Sequence, residues 1–212
     1  LESLDAEQLQ KALDALRQSD VRGSVVDELR LKKATLRGLI DSLAPGAELV
    51  GGEAAASAES AFRSEILDER AGYIRLGSLQ SENLAQLDAA LRDFTGRKVH
   101  GVVLDLRATP DSSDFALAAQ VAGRFCPPGT ALFSLVGPTA APRDFVSSGD
   151  PLFRGVLVVL IDENTAGAAE ALAATLRWNA RALLVGTRSS GRCVEFATIP
   201  LGSGHNLRLA VA

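Results

Sequence analysis

Hydroxyl, thiol and imidazole groups are the side chains that could carry nucleophile or base chemistry in this chain, and several gather late in the sequence. The stretch "DENTAGAAEALAATLRWNARALLVGTRSSGRC", residues 162–193, holds Thr165, Ser189, Ser190 and Cys193. Acyl-transfer chemistry needs a nucleophile, a base within hydrogen-bond reach and donors for an oxyanion. Enzymes often set the nucleophile where a strand turns into a helix and the base on a loop that follows. Here the helix start carries Gly167, which has no side chain, and the polar loop carries Arg192. A guanidinium keeps its proton, with a pKa above about 12, so Arg192 cannot accept one. The stretch is either a site that has lost its chemistry or one whose chemistry sits elsewhere.

The other candidates are weaker. Thr165 is two residues from Gly167, so on a helix of about 3.6 residues per turn its side chain points some ~200° away. Asn164 and Thr165 read as helix caps. Ser189 and Ser190 read as loop residues making local hydrogen bonds, and Cys193 as a buried small residue at the start of a strand. His100 precedes a buried strand and His205 sits in a Gly-flanked turn. Neither histidine has an acid or nucleophile beside it in sequence. The two cysteines, Cys126 and Cys193, fit no metal spacing, and two separate thiols are expected rather than a disulfide.

Alternating strands and helices must position these residues. Residues 5–18 and 25–43 carry leucines at helical spacing (Leu9, Leu13, Leu16; then Leu29, Leu36, Ile40 and Leu43). They predict two amphipathic helices whose stripes pack on the core or on each other. The Pro-, Gly-, Ala- and Ser-rich residues 44–60 read as a linker. Strands are then expected at 72–79, 99–106, 130–137, 155–161 and 181–186, with helices at 81–96, 113–125 and 166–178. Ser81 reads as an N-cap and Gly96 as a stop. Residues 138–151 read as a surface loop, and the chain closes with a β pair joined by the turn 202–205. This order argues for an α/β layer fold, in which ligands gather at the carboxyl ends of strands. Those ends are 104–114, 160–170 and 185–193.

Composition narrows the partners. The chain has 212 residues, is 47% hydrophobic and carries a net charge of −4 without a long basic run. That argues against nucleic acid, which needs clustered Lys and Arg. No apolar run approaches the ~18 residues of a membrane span. The sequence starts at Leu1 and contains no methionine, which leaves room for a trimmed targeting segment ahead of it.

In their order, the segments "GYIRLGSLQSENLAQLDAALRDF", "GVVLDLRATPDSSDFALAAQVAGRF" and "FRGVLVVLIDENTAGAAEALAATLRWNARALLVGTRSSGRC" resemble the core of the C-terminal processing peptidases, also called tail-specific proteases. The resemblance covers about residues 72–212, and "LRLKKATLRGLIDSLAPGAEL" resembles the helical region ahead of that family's PDZ domain. It implies a ClpP/crotonase-like layered α/β peptidase core over 66–212 with an N-terminal helical extension over 1–43. Only a linker, 44–65, stands where the family carries its PDZ domain. The family's nucleophilic serine lies three residues before a glutamate; anchored on Glu170, that position is Gly167. The family's lysine base falls on Arg192 and its supporting aspartate on Trp178. The oxyanion loop, N-P-G-G in the family, falls on "TPDS", with Asp111 and Ser112 in place of the glycines.

Each replacement removes a function. Loss of the serine in a triad enzyme costs roughly 10⁶-fold in rate, and a carboxylate at Asp111 would oppose the charge that an oxyanion hole stabilises. The resemblance with these losses implies a pseudopeptidase that binds a protein or peptide, or scaffolds an assembly, without metal or cofactor. Arg192 is expected either to fold into the vacated space and pair with a carboxylate such as Asp111, or to lie on a solvated loop as surface arginines commonly do. The alternative is a working hydrolase with a displaced nucleophile at Ser189, Ser190 or Cys193. A crotonase-like enzyme using an oxyanion hole without a serine rests on fold analogy alone. The family's usual setting implies the bacterial periplasm or cell envelope, or organelles of bacterial descent.

Overall fold

The computed structural model describes residues 28–44, 46–51, 61–67, 70–138 and 141–212, together with Gln8 and Lys11. Two compact units divide between Glu48 and Leu49. The first contains helix α1 (Glu28–Leu43). Its leucines recur at helical spacing, yet Leu29, Leu36, Leu39 and Leu43 are all exposed. The helix expected over 5–18 lies outside the described residues except for Gln8 and Lys11, both helical. Strand β1 (Ala47–Val50) lies across the divide.

The second unit is built on a five-stranded sheet. Its strands are β2 (Arg63–Leu67), β3 (Ala71–Arg75), β4 (Gly101–Asp105), β7 (Val156–Ile161) and β8 (Leu183–Gly186), in the order β2-β3-β4-β7-β8. β2 runs antiparallel to β3, and the other four are mutually parallel. β4 and β7 are central and read as the near-continuous apolar runs "GVVLD" and "VLVVLI", which suggest cover on both faces. Yet burial alternates along them: Val102, Leu104, Leu157 and Val159 are buried, Val103, Val158 and Leu160 are half-buried and Val156 is exposed, so one face is only partly covered. Helix α2 (Ser81–Gly96) connects β3 to β4, and helix α4 (Gly167–Asn179) connects β7 to β8. Helix α3 (Phe115–Gly123) follows β4 and packs against α4. Two small antiparallel pairs complete the unit: β5 (Ala131–Leu135) with β6 (Arg143–Val146), and β9 (Phe196–Gly202) with β10 (His205–Ala210).

Periodicity explains how the helices bury themselves. α2 turns Leu84, Leu87, Leu91 and Phe94 into the core, one face of a 3.6-residue repeat. It lies so close to β3 that a side chain at Gly72 would run into the Phe94 ring. α4 buries mostly small residues, Ala168, Ala171 and Ala173 around Leu172 and Leu176, which lets it sit tightly against α3 and the sheet.

The strands expected from sequence are all present, though shorter at their ends. β6 falls inside the expected surface loop, and β1 and the start of β2 fall inside the range read as linker. Gln80, not Ser81, is the N-cap of α2, and neither supplies a side-chain cap. Parallel register aligns Arg75 with Asp105, Asp105 with Leu160, and Ile161 with Gly186. The segments 106–114, 162–166 and 187–195 therefore leave the sheet from one end, where the candidate residues lie.

Candidate functional site

The start of α4 is the centre of this end. A helix opens with backbone N–H groups that have no partner inside it, and a side-chain oxygen at the N-cap usually accepts one. The N-cap of α4 is Ala166, which offers none. Two other segments supply the acceptors. The Gly167 N–H donates to the Arg192 carbonyl at 2.9 Å, and the Ala168 N–H donates to the Ser112 carbonyl at 2.8 Å. The Ala169 N–H turns back to the Ala166 carbonyl at 3.2 Å. Asn164 and Thr165, expected as caps, instead close a turn on Asp162. The Asn164 N–H donates to Asp162 Oδ1 at 3.0 Å, and the Asp162 N–H donates to Thr165 Oγ1 at 3.1 Å.

Gly167 is a glycine for two separate reasons. Its φ of +57° lies in the left-handed region, which costs an L side chain roughly 1–2 kcal/mol. A Cβ there would also stand 2.5 Å from Asp111 Oδ1 and 2.5 Å from the Ser112 carbonyl oxygen. The expectation that Arg192 fills the vacated space as the partner of Asp111 takes a different form here. Asp111 and the Ser112 carbonyl occupy that space, because the 111–112 segment folds over α4 to serve its Ala168 N–H. Arg192, half-buried, meets Gly167 through its carbonyl.

Glu170, in the first turn of α4, organises the opposite wall. Its carboxylate accepts Ser189 Oγ at 2.7 Å, Ser190 Oγ at 3.4 Å and the Gly191 N–H at 3.1 Å. Ser189 and Ser190 thus reach across to the helix rather than bonding only within their loop. Cys193 follows; as a residue it is exposed and precedes β9, unlike the buried strand start expected, but its sulfur is partly shielded by its neighbours. Burial of the group, and then the nearby Glu170 charge, push its pKa above the ordinary thiol value. A reactive cysteine needs the opposite shift. In sequence Glu170 carries no signal of this role beyond being an acid in a helix's first turn ahead of a Ser-rich loop.

At the end of β4, Asp105 forms a second polar cluster. It is 4% exposed and accepts Tyr73 Oη at 2.7 Å, Arg107 Nη2 at 2.7 Å, Arg107 Nε at 2.9 Å and the Arg107 N–H at 3.0 Å. Burial opposes its ionisation, but these four donors outweigh it and hold its pKa below the usual carboxylate value. Tyr73 is raised in turn, by burial and by its bond to Asp105.

The remaining predicted residues lie apart. Trp178 stands eleven residues after Gly167, about 16 Å along the helix at ~1.5 Å per residue, and is 86% exposed. It lines a trench of about 560 Å³ between β5 and α4, with Leu132, Leu135, Val136, Thr175 and Cys193. Cys126 is fully buried, and both cysteines are free thiols. His100 and His205 are exposed. Among the described residues no three His, Cys, Asp or Glu side chains gather as a metal site, and no helix is long and apolar enough to cross a membrane.

The site therefore has no hydroxyl at Gly167, no unengaged N–H on residues 167–169, and the Asp111 carboxylate beside Gly167. Residues 70–212 match the family described as "Peptidase family S41". The carboxyl-terminal-processing protease of Synechocystis sp. is 29% identical over 141 residues, which cover 66% of this chain and 33% of that protein. The carboxy-terminal-processing protease of Bartonella bacilliformis is 32% identical over 147 residues, covering 66% and 33%. Among solved structures, a photosystem II D1 C-terminal processing protease superposes with a TM-score of 0.58 at 26% identity, over 79% of this chain and 42% of that one. The chain spans about a third of the length of the curated relatives it matches.

Proposed function

The chain belongs to peptidase family S41, and from that membership we propose that it is a member without peptidase activity, a protein- or peptide-binding or scaffolding module. The observation that carries this reading is the occupied space at Gly167. The position aligned with the family's nucleophile has no side chain, and a Cβ there would meet Asp111 and Ser112 at 2.5 Å. Arg192, aligned with the family's base, cannot take a proton. The N–H groups of Gly167 and Ala168, which could otherwise face an oxyanion, already have carbonyl partners.

The trench between β5 and α4 supports a peptide as the bound partner. Among the described residues β5 pairs only with β6, which makes its other edge the place for strand addition, beside the apolar lining residues Leu132, Leu135 and Val136. Trp178, exposed at the trench rim, is of a residue type that anchors interfaces. The reading includes a place in the cell envelope or a bacterium-derived organelle, and a short connection rather than a PDZ domain over 44–65.

The rival is a displaced nucleophile. Ser189 lies 2.7 Å from the Glu170 carboxylate, a hydroxyl beside a possible acceptor, but the same carboxylate oxygen also accepts the Gly191 N–H. Incubation with unfolded casein and with peptides bearing apolar C-termini separates the two. We expect no cleavage above background. Cleavage that Ser189→Ala, Ser190→Ala or Cys193→Ala abolishes would overturn the proposal.

A further inference from the structure

We infer that Glu170 is the catch of a strap, residues 187–193, that holds the start of α4 closed. The strap has no strand or helix of its own before β9, so individual hydrogen bonds rather than a ladder fix its path. Three donors from three consecutive residues, Ser189, Ser190 and Gly191, converge on the one carboxylate. Hydrogen bonds to an ionised acceptor are the strong kind, and a carboxylate in a helix's first turn is itself favoured by the helix dipole. Two lesser ties accompany them: the Ser190 N–H donates to the Thr165 carbonyl at 3.1 Å, and Thr187 Oγ1 donates to Glu163 Oε2 at 3.0 Å.

The geometry beyond the catch explains what it achieves. Gly191 takes a φ of +72° with open space around its α-carbon, a left-handed turn that glycine adopts without strain. The Arg192 N–H folds back onto Ser190 Oγ at 3.2 Å, and the Arg192 carbonyl then meets the Gly167 N–H. Glu170 thus acts on Gly167 through the strap, as a positioning residue, with no direct bond between them. A carbonyl or carboxylate from another molecule that seeks this N–H competes with the strap, not with water. The device does not depend on whether the chain hydrolyses peptides, so the casein assay and the test below can fail independently.

The test compares the unaltered chain with Glu170→Gln and Ser189→Ala by residue-resolved amide hydrogen exchange and by labelling of Cys193 with an aromatic disulfide reagent. Cys126, fully buried, leaves Cys193 as the reporting thiol of the native state. In Glu170→Gln, exchange at the Gly167 N–H should speed by about 10-fold, as local opening predicts, while Ile74 and Leu104 in the sheet stay unchanged. Cys193 labelling should rise by a similar factor, and Ser189→Ala should move both in the same direction by about 3-fold, having lost one of three bonds. The Gly167 amide is the deciding readout, because its own partner is Arg192. An unchanged Gly167 rate in both variants overturns the inference, whatever the thiol does. Equal acceleration at Ile74 and Leu104 also overturns it, since Glu170 would then support the fold generally.

Discussion

Helices α3 and α4 start side by side, and they are closed in opposite ways. At α3 the closure is local: the Asp114 side chain accepts the Leu117 N–H at 2.9 Å, three residues on. At α4 the N-cap is Ala166, and the acceptors come from Ser112, before α3, and Arg192, beyond β8. One start is sealed by its own sequence and the other by two distant segments. A start sealed by distant segments can be opened without unfolding the helix, and its fixed partners leave no room for a side chain at Gly167 in the present arrangement.

The sharpest way to break this contrast is to put a side chain at Gly167. Gly167→Ser combines a left-handed φ with two contacts at 2.5 Å, so a loss of about 3 kcal/mol in urea unfolding is expected. The new hydroxyl should bring no casein cleavage, because Arg192 still cannot serve as base. An unaltered midpoint would mean that the 111–112 segment is not held over α4 as described.

The same contrast shows what a sequence reveals. The helix starting near Asp114 was legible, because an apolar run behind a capping residue type is a local pattern. At α4 the local pattern misled: Asn164 and Thr165 are good capping residues, yet they serve the turn at Asp162. The true acceptors are main-chain carbonyls, which every residue possesses and no residue type announces. The reading of Gly167 and Arg192 as replacements comes only from the family resemblance. That Asp111 and the Ser112 carbonyl fill the space, and that Glu170 gathers the Ser189–Gly191 loop, depend on contacts between segments far apart in sequence. β6 was missed for a related reason. It is short, mostly exposed and carries Arg143 and Asp144, so no apolar alternation marks it.

A smaller effect tests the local side of the comparison. Asp114→Ala removes the only side-chain cap of α3, and about 1 kcal/mol should be lost. The Ser112 Oγ bond to the Asp114 N–H, at 3.0 Å, involves the main chain and survives. The Ala168 amide should therefore keep its slow exchange while the Leu117 amide loses protection. Joint acceleration of the two would show that the starts of α3 and α4 form one unit rather than two separately closed ends.

The smallest effect is the most discriminating. Replacing an alanine N-cap with serine ordinarily stabilises a helix by roughly 0.5–2 kcal/mol, because a new oxygen satisfies an unpartnered N–H. At Ala166 that gain should vanish. The N–H groups of Gly167, Ala168 and Ala169 already donate to Arg192, Ser112 and Ala166 carbonyls, and Ala166 is fully buried, so an added hydroxyl finds neither an empty donor nor spare room. We expect Ala166→Ser to be neutral or slightly destabilising in urea unfolding. With Glu170→Gln as background the result should stay the same, because the strap covers the N–H of Gly167, the first helical residue, whereas an N-cap oxygen reaches the second and third, those of Ala168 and Ala169. A full gain in the unaltered background would mean that the carbonyls of Ser112 and Arg192 are incidental neighbours of α4 and not its caps.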